Sequence, residues 1–164
     1  MSALFLSGCD AEEPGVSAGE WAATVCTTLD PWRERIDALT VQAQSAIGPD
    51  TGPEETKAEL VKLLDGAATA SETARAAVSD GAAAAVEGGE DARATVVAYL
   101  EGARDAYASA GDAMEGLDAG AEGFYDQVAA TMAELNTAYA AGPDLAGVSS
   151  VELSEAFATV GECG

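Results

Sequence analysis

Apolar residues along this chain recur at steps of three and four, never in strict alternation, and that period predicts a series of amphipathic helices with no strand. Ser17-Ala18-Gly19-Glu20 has the form of a capping box, in which the Ser hydroxyl takes a helical N–H and the Glu reaches back to the Ser N–H. The first helix is expected to begin there. Its apolar column runs Val25, Leu29, Trp32, Ile36, Leu39, Ala43, Ala46 until Gly48-Pro49 stops it. Pro31 lies inside that column and removes one helical hydrogen bond, so the helix either kinks there or restarts with Asp30-Pro31 as its cap. A second start falls at Thr51-Gly52-Pro53-Glu54-Glu55, with carboxylates in the first turn where the helix dipole favours them. Its column is Leu60, Leu64, Ala67, Ser71, Ala74, Val78, and Gly81, Gly88 and Gly89 mark the turn that follows.

From Val96 the column continues through Leu100, Ala103, Tyr107, Ala110, Met114, Leu117, Ala121, Phe124, Val128, Thr131, Leu135 and Ala138 without a slip. Residues 90–140 therefore read as one very long helix or as two. Gly116, Gly120 and Gly123, each costing about 1 kcal/mol in a helix interior, favour a break near Gly116 to Ala121. Gly142-Pro143 ends the fourth helix, and Ser149-Ser150-Val151-Glu152 opens a short last one carrying Leu153, Ala156 and Phe157. The expected fold is all-α: an antiparallel up-down four-helix bundle, residues 20–164, with a short C-terminal helix. In that layout the fourth helix ends near the start of the first, which brings Cys163 to the neighbourhood of Cys26. A Cys26–Cys163 disulfide would then close nearly the whole domain and contribute up to roughly 4 to 5 kcal/mol by loop entropy.

Composition sharpens this. The chain has 164 residues, enough for one domain, and is 48% apolar, but nearly half of that fraction is alanine, so the core is expected to be thin and closely packed. Acidic residues number 29 against 7 basic, for a net charge of −22, and no base follows Arg104. A field of that sign repels phosphate backbones, which excludes nucleic acid as a partner. It suits a solvated surface.

Cys9 stands apart from the other cysteines and closes Leu6-Ser7-Gly8-Cys9, which resembles the lipobox of bacterial lipoproteins, where the cysteine takes a diacylglyceryl group. Residues 1–8 then read as a partial signal segment and 9–19 as a lipidated, flexible tether rich in polar residues, Pro and Gly. With these features placed, the chain resembles the uncharacterised small lipoproteins and secreted proteins common in actinobacteria. The residues that carry the resemblance are Cys26, Glu152-Leu153-Ser154-Glu155-Ala156-Phe157, Cys163, the Val86-Glu87-Gly88-Gly89-Glu90 turn and the lipobox. It implies an alanine-rich helical bundle outside the cytoplasm and brings no catalytic residue.

Catalytic chemistry finds little to work with. There is no histidine, which removes His-dependent triads, Glu-x-x-His di-iron sites and imidazole zinc sites. Lys57 and Lys62 stand beside Glu55 and Glu59, where surface pairing accounts for them. Asp118-Ala119-Gly120-Ala121-Glu122-Gly123 is similar to the start of a calcium loop, but Ala129 occupies the twelfth position where a bidentate Glu belongs, so it reads as a turn. Trp32, Tyr107 and Phe124 fall on the columns and are expected in the core, whereas Trp21 and Tyr125 fall off them and are candidates for an exposed interaction patch. The expected function is a non-enzymatic structural or protein-interaction module, with no cofactor and no metal. It is expected as a monomer held to the membrane by lipid at Cys9 and serving an unknown envelope protein. The alternative is a small-ligand-binding lipoprotein with a groove between helices near Trp21 and Trp32.

Overall fold

The computed structural model describes residues 15–139 and 150–160, apart from the side chain of Tyr139. The expected signal segment, Cys9, most of the tether and Cys163 lie outside the described residues. Five helices follow one another: α1 (Ala18–Ala46), α2 (Pro53–Asp80), α3 (Gly89–Glu115), α4 (Phe124–Tyr139) and α5 (Val151–Val160). The fold is all-α, a helical bundle, and among the described residues the one β-type pairing is an isolated bridge between Val16 and Ala84.

Local chemistry sets the helix ends. At the start of α1 the capping box is complete: Glu20 N donates to Ser17 Oγ at 3.3 Å, and Ser17 N donates to Glu20 Oε2 at 3.0 Å. The Ser17 hydroxyl, then its backbone N–H, hold the Glu20 carboxyl below the usual carboxylate range. Helix α1 runs through Pro31 without a restart. Pro53 opens α2 with Glu54 and Glu55 in the first turn. That helix has no base in its last turn; instead Arg93 of α3 reaches back to donate to the carbonyls of Ser79 and Gly81, at 3.3 and 2.9 Å. A cation at those carbonyls complements the negative end of the helix dipole. Gly88 enters α3 at φ 77°, a backbone conformation that suits glycine. Its neighbour Gly89 has no room for a side chain, because a Cβ there would meet the Ala84 carbonyl.

The expected break after α3 is present: Gly116–Gly123 is a turn region, Gly123 has φ 86°, and Asp118 Oδ1 accepts from Gly120 N at 2.9 Å. Asp118 is thus engaged in its own turn, as the turn reading requires.

Two apolar clusters fill the interior. One gathers Trp21, Val25, Leu29 and Trp32 from the first half of α1, Ala74 and Val78 from the end of α2, Val96 and Leu100 from the start of α3, and Leu153 of α5. The other joins Leu39 and Ala43 to Leu63, Leu64, Tyr107, Met114 and Leu135. The start of α1 thus meets the end of α2 and the start of α3, so these three helices run up, down and up. Helix α4 packs on α3, and α5 packs on α1.

One expectation is corrected here. Trp21 is 2% exposed and lies in the first cluster, its ring edge-on to Phe157 of α5 at 5.6 Å. It extends the α1 column by one step of four before Val25, and α5 supplies the apolar partner that covers it.

Candidate binding groove between α1 and α2

Helices α1 and α2 meet closely at one level and stand apart at the next. The close point is Gly66, where an added Cβ would sit 2.9 Å from Leu39 Cδ1. A turn further along, Trp32 Nε1 donates to Ser71 Oγ at 2.9 Å, and Ser71 Oγ donates to the Ala67 carbonyl at 2.8 Å, so this buried polar pair is satisfied. Trp32 also meets Tyr99 of α3 edge-on at 5.9 Å. An indole needs far more room than the alanines around it. Trp32 fills the interior between α1, α2 and α3 while the small α2 residues beside it leave the outer side open.

The result is a groove of about 630 Å³, within the range of ligand sites. Thr27, Pro31 and Arg35, at steps of four, form its α1 rim; Asp65, Thr69 and Thr73, again at steps of four, form its α2 rim. Trp32, Ala70 and Ala74 make the floor. Because α1 and α2 are antiparallel, Arg35 and Asp65 share the end near the Gly66–Leu39 contact, and Thr27 and Thr73 lie toward the other.

The rim groups differ in how they are occupied. Thr27, Thr28 and Thr73 donate their hydroxyls to helix carbonyls four residues back, at 2.9, 2.9 and 3.0 Å. Among the described residues, the side chains of Arg35, Asp65 and Thr69 make no hydrogen bond or ion pair. The contrast with the other bases is sharp. Arg33 pairs with Asp30, Lys62 with Glu59, Arg75 with Glu72, Arg93 with Glu90, and Arg104 with Glu72, Glu101 and Asp105. Lys57, expected to pair beside Glu55 and Glu59, instead donates to the Leu117 carbonyl at 2.7 Å.

The sequence candidates do not converge on this groove. Trp32 is part of it; Trp21 is not. Tyr125 is 53% exposed, as expected, but it sits at the start of α4, edge-on to Phe124 at 5.1 Å. Its surroundings include Pro53 at the start of α2, whereas Trp21 packs with residues from the end of that helix. The two therefore lie toward opposite ends of the bundle and form no common patch. Cys26 is buried in α1, and its expected partner Cys163 lies outside the described residues. Among the described residues no group of three or more His, Cys, Asp or Glu side chains converges to hold a metal ion, and no helix is long and apolar enough to cross a membrane.

Sequence reasoning missed Arg35, Asp65 and Thr69. The signal was faint: polar residues at steps beside the columns, whose placement along one groove depends on the register of α1 against α2.

No family model, no curated protein and no solved structure matches this chain.

Proposed function

We propose that this protein is an envelope-anchored, non-enzymatic binding module whose working surface is the groove between α1 and α2. The observation that carries the reading is that groove, an open cleft of about 630 Å³ with a tryptophan floor and threonines on both rims. The absence of histidine from the sequence supports a binding role over a catalytic one. Anchoring rests on Leu6-Ser7-Gly8-Cys9 and on the resemblance to small actinobacterial lipoproteins.

In this reading the tether has a defined root. Val16 N donates to the Ala83 carbonyl at 3.1 Å and Ala85 N to the Val16 carbonyl at 2.7 Å, which fastens the chain beside the α2–α3 turn. Cys9 precedes Gly15 by six positions, a reach of at most about 20 Å. Lipid at Cys9 would therefore hold the α2–α3 turn toward the membrane and leave the groove along the side of the bundle open to the periphery. A Cys26–Cys163 disulfide belongs to the same reading: Phe157 of α5 already touches Trp21, just before Cys26 in α1, and Cys163 follows within a few residues. So does a four-cornered bundle in which α4 and α5 share the fourth side.

The partner in the leading version is an envelope protein, and the module acts as a monomer. A small ligand is the second version, favoured by the size of the groove and by the unpartnered Arg35, Asp65 and Thr69 on its rims. Expressed behind a complete lipoprotein signal in a host that processes such proteins, the wild type is expected in the detergent phase on Triton X-114 partition. Cys9→Ser is expected in the aqueous phase with its fold intact, because acyl chains contribute about 0.8 kcal/mol per buried methylene. Aqueous partition of both proteins would overturn the anchor.

A further inference from the structure

The end of the bundle opposite Val16 holds a second cleft, separate from the α1–α2 groove. It measures about 290 Å³ and is lined by Pro53 at the start of α2, Ala119 and Ala121 in the α3–α4 turn, and Tyr125 and Asp126 at the start of α4. Its walls are tied together. Lys57 of α2 donates to the Leu117 carbonyl at 2.7 Å, and Phe124, 2% exposed, meets the Tyr125 ring edge-on at 5.1 Å. Among the described residues Tyr125 is the one exposed aromatic side chain: Trp21, Trp32, Tyr107 and Phe124 are buried, and Tyr99 and Phe157 are half-buried. The fold leaves half of this ring to water at the wall of a cleft, and tyrosine in such a position is a frequent anchor of interfaces.

Charge around the cleft selects what the ring can meet. Glu54 and Glu55 follow Pro53, Asp112 and Glu115 lie in the last turn of α3, and Glu122 precedes Gly123; with Asp126 these carboxylates are exposed and make no ion pair among the described residues. Lys57 turns its ammonium to a backbone carbonyl instead. An acidic segment or a phosphate would be repelled here. A purely apolar side chain would cover the ring and leave the carboxylates unused. A cation uses both, because the face of an aromatic ring is the negative part of its quadrupole. Arginine suits the site better than lysine, since a planar guanidinium stacks on a ring and also forks to a carboxylate.

We propose that this cleft docks a basic segment of a partner protein through one arginine, its guanidinium on Tyr125 and Asp126 and its methylene stem along Pro53. Glu54, Glu55 and Glu122 meet further basic residues of the same segment. An anchor at Cys9 would point this end away from the membrane, within reach of another protein. The cleft itself depends neither on that anchor nor on the α1–α2 groove.

The test uses the full chain, labelled with ¹⁵N and titrated at low salt with a short acetylated peptide carrying two arginines spaced by glycine. The same peptide with lysine, and with uncharged citrulline, in place of arginine are the controls. Saturable shifts are expected at the amides of Gly123, Tyr125 and Asp126, tighter for arginine than for lysine and absent for citrulline. The amides of Glu87, Glu90 and Asp91, an acidic stretch without an aromatic, and the Trp32 indole are expected to stay in place. Tyr125→Ala should weaken binding about three- to fivefold, as loss of an exposed cation–π contact implies, and Tyr125→Phe should retain it. Shifts of equal size at Glu87, Glu90 and Asp91 would reduce the effect to general attraction by charge and overturn the proposal. So would equal affinity for the lysine peptide, unchanged affinity in Tyr125→Ala, or no saturable shift by about 5 mM.

Discussion

The α2–α3 and α1–α2 interfaces are built from helices of similar length in one chain, yet one is sealed and the other is open. Along α2–α3, Leu64, Ala67, Ser71, Ala74 and Val78 face Val96, Leu100, Ala103, Ala110, Gly111 and Met114, every one of them buried. Small residues on both sides let the helix backbones approach, and polar links fasten the interface along its length. Lys57 holds one end through the Leu117 carbonyl, Arg104 bonds Glu72 at 2.9 Å in the middle, and Arg93 holds the other end. Across α1–α2 the described residues form no ion pair, and one bulky indole stands among alanines and threonines. The difference teaches that an alanine-rich bundle closes wherever small residues match small residues, and opens where a large side chain turns inward and leaves the outer side underfilled.

The largest expected effect lies in the sealed interface. Leu100 is fully buried, and Leu100→Ala should destabilise the protein by about 3 kcal/mol in urea unfolding, as cavities in cores that cannot collapse do. A loss under about 1 kcal/mol would mean that this interface is looser than described. Trp32→Phe comes next. It removes the indole donor to Ser71 and some volume, for an expected cost of about 1 to 2 kcal/mol, and it should leave the α2–α3 contacts unchanged in amide exchange.

A smaller effect separates the interfaces by pH. Hydrogen bonds from Arg75, then from Arg104, hold the Glu72 carboxyl at about 2, below its ordinary 4.5. A depressed carboxylate contributes stability that is present above pH 4.5 and lost as the pH falls toward 2. The melting temperature of the wild type should therefore exceed that of Glu72→Gln at pH 6, and the gap should shrink through that acid window. Because the Glu72 side chain is 43% exposed, solvent screening is expected to keep the gap modest. A gap independent of pH would remove the charge from the account of this interface. The smallest effect belongs to the open side: Thr73→Leu, on the groove rim, should change stability by no more than about 0.5 kcal/mol. A large loss there would show that the rim is part of the core.

Much of this is legible in the sequence. The columns on α1, α2 and α3 name two thirds of the buried residues of those helices, because a 3.6-residue period is a direct image of which face meets the core. Capping at Ser17 and Glu20 and the glycine break after Met114 are readable for the same reason: each depends on neighbours in sequence. Trp21 escapes such a reading because its burial depends on Phe157, on a short helix far along the chain. The groove is invisible in the same sense. Arg35 and Thr69 become neighbours only through the Gly66–Leu39 contact, and no local pattern reports a helix register.

We propose that the open interface is where this protein does its work, and photocrosslinking in cells of the source organism is the decisive test. A benzophenone amino acid would replace Thr27, on the groove rim away from Arg35 and Asp65, or Gly102, on the exposed face of α3 where an added side chain meets nothing. Intact mass of the recovered chain reads adducts with either a protein or a small molecule. The account predicts a discrete adduct at position 27 that disappears when Thr73→Trp fills the groove, and none at position 102. Adducts equally frequent at the two positions, or a position 27 adduct that survives Thr73→Trp, would contradict it.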